Sequence, residues 1–207
     1  WEAADRESLE GLRLSPGSAM CHLYRSFYLS HVERHEEAVA ETFEAQRLDP
    51  ISSIINAFSG VALTWKGEFG RAIDELETAK KMIPDVYVLR SFLGIAYYAN
   101  GEYEKAVGEH QKAAELSGGA AFMAVFLELA LSQCGKKEEA DRLFEDLKRR
   151  SRTEYVTPTG FFLMHLERGH LAEAGKWLKK AGEIHDPNLS WTRIMPREMF
   201  KSPNDPK

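Results

Sequence analysis

His31, Glu33 and His35 form the densest group of potential metal ligands in this sequence of 207 residues. Two histidines four residues apart share a face when both lie on one helix, and a nearby carboxylate would add a third donor. Here the apolar periodicity breaks between them, so they straddle a turn, and there is no His-Glu-x-x-His order. They read as turn residues. The remaining histidines, His22, His110, His165, His170 and His185, are scattered one per segment. His110 and His165 fall on packing positions. Cys21 and Cys134 have no histidine at a spacing that would activate a thiolate. No Ser-His-Asp grouping or phosphate-cradling glycine loop is present. Gly118 and Gly119 read as a stop between helices. Lys148, Arg149, Arg150 and Arg152 are the one basic cluster, and they close a helix, where cations complement the carbonyl end. The expectation is a protein that is not an enzyme and that binds no metal and no cofactor.

Composition narrows the partners. The formal net charge of −5 argues against a general nucleic-acid binder, because phosphate affinity comes from clustered Lys and Arg. No apolar run approaches the roughly 20 residues of a membrane span, and no signal-peptide pattern is visible, so no membrane partner is expected. Two distant cysteines suit a reducing, cytoplasmic setting better than a disulfide.

The elements that carry these residues follow one repeat. Ala4, Ala38, Ala72, Ala106, Ala140 and Ala174 recur every 34 residues without an insertion. Gly67, Gly101, Gly135 and Gly169 keep the same interval, with Glu33 in that slot one repeat earlier. Pro16, Pro50 and Pro84 do so as well. Each slot has a physical reading: the small residue lets two helix backbones approach, the glycine accepts a left-handed helix end, and the proline stops the second helix. Amphipathic second helices are predicted over 36–48, 70–83, 104–116, 138–150 and 172–184, each preceded by an apolar first helix of about 14 residues.

This pattern resembles the tetratricopeptide repeat (TPR), carried best by Leu93, Gly94 and Tyr97 in a first helix and by Ala106, His110 and Ala113 in a second. The resemblance implies an all-α fold, a helical-hairpin solenoid wound as a right-handed superhelix. One solenoid over 1–207 is expected: a half-repeat at 1–18, with Trp1 in an aromatic slot, full repeats at 19–52, 53–86, 87–120, 121–154 and 155–188, and a closing segment at 189–207. The half-repeat, which lacks its first helix, is expected to follow further repeats or another domain. Apolar residues at 191, 194 and 195 are expected to form a short helix over the flank of the last repeat. The stretch 155–158, Gly169, Asp186-Pro187 and the proline-rich 202–206 are similar to the C-terminal TPR region of multidomain bacterial regulators and signalling kinases. That resemblance implies a sensing or regulatory part of a larger protein.

The resemblance also implies that first helices line a concave surface. Those slots hold Leu23, Phe27, Ile54, Val61, Trp65, Ile95, Tyr98, Phe122, Leu129 and Gln133, a face that is apolar and nearly uncharged. The cations with which some TPR domains clamp acidic tails are missing there. The expected partner is therefore a protein or peptide with an apolar or amphipathic segment. The alternatives are a homo-oligomer that buries this face and a groove filled in cis by another domain of the same chain. Val61→Glu and Leu129→Glu are expected to abolish capture while preserving helicity.

Overall fold

A computed structural model describes residues 2–194, in which eleven α-helices and one 3-10 helix follow one another without a strand. Trp1 and the segment 195–207 lie outside the described residues, and with them the aromatic slot read at position 1 and most of the proline-rich close. The helices are α1 (Glu2–Leu14), α2 (Ala19–His31), α3 (His35–Leu48), α4 (Ser53–Lys66), α5 (Phe69–Met82), α6 (Tyr87–Ala99), α7 (Tyr103–Leu116), α8 (Ala121–Gln133), α9 (Lys137–Arg150), α10 (Pro158–Glu167) and α11 (Leu171–Glu183). The 3-10 helix η1 spans Pro187–Ile194.

The 34-residue frame reappears in the backbone. Gly67, Gly101, Gly135 and Gly169 all have φ between 72° and 87°, and Glu33, which fills their slot, has φ 65°. The turn thus demands a left-handed residue at this position whatever its type. The frame alanines Ala38, Ala72, Ala106 and Ala140 are at most 1% exposed. Each second helix begins one residue ahead of its predicted start, after a residue with ψ near 60°. One first helix departs more. α10 starts at Pro158, with Thr157 extended before it, because a residue that precedes proline is disfavoured in the helical region. Residues 155–157, predicted as its opening turn, therefore stay outside the helix.

The chain divides into two compact units, 1–96 and 97–207. In the first, α2 packs on α1, α3 and α4, and α4 packs on α5. Leu23, Ala45 and Ile55 are buried against one another, with Ala19, Phe27 and Phe58 on the flank of that cluster. In the second, α8 lies against α7, α9 and α10, and α10 against α11 and η1. His110 occupies the packing slot expected for it: it is 1% exposed and stacks on Phe126 at 5.7 Å. Phe161 stacks on Trp177 at 4.5 Å.

A candidate partner-binding surface

The sequence-selected residues separate by exposure. Leu23, Val61, Ile95, Tyr98 and Leu129 are each 3% exposed or less. Ile54 is 49% exposed, and Phe27, Trp65, Phe122 and Gln133 are half-buried. A substitution such as Val61→Glu therefore strikes the core before it touches a partner, which corrects the test drawn from sequence alone.

In the first unit Phe27 begins a run of rings. Phe27 meets Phe58 edge-on with centroids 4.4 Å apart. Phe58 in turn lies 5.3 Å from Phe92. Beside this run, the first helices α4 and α6 enclose an apolar groove of about 210 Å³, lined by Ile54, Ala57, Phe58, Val88 and Phe92. No charged side chain lines it. Further along α4, Trp65 packs edge-on to His31 at 5.0 Å, and His31 Nδ1 lies 2.8 Å from the Phe27 carbonyl oxygen.

Phe58 and Phe92 were not among the sequence-selected residues. The signal was available: Tyr24, Phe58, Phe92 and Phe126 occupy one slot at intervals of 34 residues. The family's groove slots lie one residue or more away from this position, so they select its neighbours.

In the second unit the same slot is covered. Phe126 packs edge-on to Phe122 at 5.1 Å, and Trp191 of η1 comes to 6.5 Å from the Phe126 ring. One carboxylate ties this closing segment down. Asp186, 3% exposed, accepts hydrogen bonds from the Thr157 hydroxyl at 2.5 Å and from the Thr159 amide and hydroxyl at 3.1 and 2.9 Å. It also accepts from the Asn188 amide and side chain at 3.0 and 2.8 Å. Burial alone would raise the Asp186 pKa, but the hydrogen bonds from Thr157, Asn188 and Thr159 outweigh it and hold the carboxyl below its ordinary range.

A second polar group joins α8 to the residue that closes α10. Glu128 is fully buried, and its carboxylate is 2.6 Å from an Arg168 guanidinium nitrogen. Arg168 also reaches Asp141 at 3.0 Å and lies over the Phe144 ring at 4.3 Å. Burial pushes the Glu128 carboxyl up to about 8, against the pull of Arg168. Gln133 donates to Glu167 at 2.9 Å, so its side chain is engaged within the unit. Three members of the basic cluster are paired locally: Lys148 with Glu145, Arg149 with Asp146 and Arg150 with Glu154.

Consecutive helix pairs in a 34-residue frame, with left-handed turn residues and buried small residues at fixed slots, define a TPR-type helical repeat protein. Solved structures agree on the fold. The chain is similar to a crystal structure of MamA, with a TM-score of 0.59 and 21% identity over 71% of this chain and 86% of that one. It is also similar to MamA 41-end from Desulfovibrio magneticus RS-1, with a TM-score of 0.63 and 19% identity over 75% and 88%. YrrB, described as a TPR protein with an unusual peptide-binding site, aligns with a TM-score of 0.56 and 19% identity over 89% and 95%. No family model and no curated protein matches the chain by sequence.

Proposed function

We propose that this chain is a non-catalytic protein-interaction module that captures an apolar or amphipathic peptide segment on the first-helix face of residues 1–96. The observation that carries this reading is the open apolar groove between α4 and α6, continuous with the Phe27–Phe58–Phe92 run. A groove with no charged lining selects by shape and apolar burial, and fully burying one large apolar side chain stabilises a complex by about 1.5–3 kcal/mol. The peptide-binding site named for the similar YrrB fits this reading. On the sequence resemblance, the module serves a sensing or regulatory protein, and its two free thiols suit a reducing, cytoplasmic setting.

The test uses peptides selected from a random display library on the immobilised chain. Binding is then measured for the parent, Ile54→Glu and Phe92→Ala. Ile54 is exposed enough to accept a charge without unfolding. Both variants are expected to weaken binding at least about tenfold, which corresponds to about 1.4 kcal/mol. Parent-level affinity in both folded variants would remove the groove from the reading.

A specific observation favours a different use of the second unit. Trp191 rests against Phe126, the counterpart of Phe58 and Phe92. On this reading the closing segment fills that face in cis and only the first unit receives a partner. Self-association through the open groove is the remaining alternative. A sedimentation mass that doubles with concentration in the parent, and not in Ile54→Glu, would establish it instead.

A further inference from the structure

A pocket of about 530 Å³ opens within the second unit between α8, α9 and the turn from α10 into α11, and Ser132, Lys137, Ala140, Asp141 and Glu167 are among its lining residues. The repeat shows what fills this position elsewhere. Subtracting the interval of 34 residues from Ser132 and Lys137 gives Tyr98 and Tyr103. Those two rings pack edge-on with centroids 5.4 Å apart, and Tyr98 is 3% exposed. Phe69 holds the Tyr103 slot one repeat earlier still. Beside them the frame alanine is the same in both copies: Ala106 and Ala140 are each at most 1% exposed. At the later copy, however, a half-buried serine and an exposed lysine stand in place of the two rings. Space that aromatic side chains take up in one repeat is open in the next.

The charges around this space select the ligand. Arg168 faces Glu128 at 2.6 Å and Asp141 at 3.0 Å, and Lys148 reaches both oxygens of Glu145. These cations are already matched by carboxylates. Two acceptors are left over at the pocket. Asp141 meets Arg168 through Oδ1, and its side chain is 69% exposed, so its other oxygen is open to a donor. Glu167 accepts from Gln133 through Oε1 at 2.9 Å, while its buried Oε2 has no hydrogen-bond partner among the described residues. A buried acceptor without a donor is costly, and a ligand that brings the donor relieves that cost. Lys137 stands on a flexible four-carbon stem and can turn into solvent. We propose that this pocket binds a small aromatic cation, a ring carrying an ammonium or amidinium group. The ring takes the place of the one that Tyr103 supplies a repeat earlier, and the charged head sits against Asp141 and Glu167.

The test titrates the whole isotope-labelled chain with tyramine, a tyrosine side-chain ring with an ethylammonium tail, and follows backbone amide shifts by NMR. Saturable shifts at Ala140, Asp141 and Arg168 are expected, with a Kd of about a millimolar for a ligand of this size. p-Cresol, which has the ring without the charge, should bind about tenfold more weakly. Asp141→Asn should weaken tyramine about threefold, as loss of an exposed ion pair would. Lys137→Tyr puts back the ring of the earlier repeat, so it should abolish the shifts with helicity retained. Lys137→Ala leaves the space open and removes a like charge, so it should bind tyramine at least as tightly as the parent. Absence of saturable shifts in the parent would overturn the proposal, as would parent-level tyramine binding in folded Lys137→Tyr. Equal affinities for tyramine and p-cresol would overturn the cationic head. None of these results bears on peptide binding at Ile54 and Phe92, which lie in the first unit.

Discussion

Replacing Asp186 by asparagine is the sharpest test of how the closing segment is held. The substitution removes one charge and almost no volume. In the parent, one carboxylate oxygen accepts from Thr157 and twice from Thr159, and the other accepts twice from Asn188. An asparagine oxygen can keep the three bonds on the first side. Its amide nitrogen then faces the two Asn188 donors and can accept from neither. Hydrogen bonds to an ionised group contribute about 1.5–3 kcal/mol each, and stranded buried donors add to the cost. With three bonds losing charge assistance and two lost outright, the expected destabilisation is about 3–4 kcal/mol. For a chain of this size that corresponds to a fall in Tm of roughly 6–16 °C. Chemical denaturation followed by circular dichroism measures the loss. Trp191 emission, isolated by comparison with Trp191→Phe, should shift toward that of a solvated indole at temperatures where the other helices persist. The pH dependence has a definite sign. The folded carboxyl titrates below its ordinary value of 3.8, so its contribution is present above that pH and is lost as pH falls through the folded pKa. Asp186→Asn should be missing that acid slope. A loss under about 1 kcal/mol with unchanged Trp191 emission would refute the role given to this carboxylate.

Other perturbations test burial and packing within the helix pairs. Glu128 titrates near 8 in the fold, raised by burial from 4.5, so parent stability should fall as pH rises between those values. Glu128→Gln should flatten that fall in thermal melts, with Arg168 still held by Asp141. Burial lowers the His110 pKa to about 3, and its Nδ1 has no hydrogen-bond partner. His110→Phe should stabilise by about 1–2 kcal/mol and remove a loss of stability that sets in as pH falls below 6.5. Gly60 faces Leu76, where a Cβ would lie 2.4 Å from the Leu76 Cγ, whereas Gly108 on α7 has nothing within 4 Å. Gly60→Ala should therefore destabilise, by about 1–3 kcal/mol of overpacking partly offset by helix propensity. Gly108→Ala should stabilise by about 0.5–1 kcal/mol. Denaturant midpoints distinguish the two signs.

Sequence alone determined the repeat and set most helix starts to within a residue. The reason is that each slot in the 34-residue frame answers a local demand: a left-handed backbone at Glu33 and Gly67, close approach at Ala38 and Ala72, a stop at Pro50 and Pro84. Such demands act within a few residues and leave their mark on residue type. Local chemistry also places α10 at Pro158, because the proline governs the residue before it. Exposure is another matter. Val61 and Ile54 lie two turns apart on the same side of α4, yet one is 3% and the other 49% exposed, because what packs against that side differs along the helix. The aromatic slot shows the same division. Tyr24, Phe58, Phe92 and Phe126 are equivalent in sequence, but Trp191 covers the last and a groove opens beside the two before it. Asp186 reads in sequence as one half of an Asp-Pro step. Only the fold brings Thr157 and Thr159 to it from 29 and 27 residues away. Which side chains are free to meet a partner depends on contacts between elements distant in sequence, and only the tertiary structure decides those.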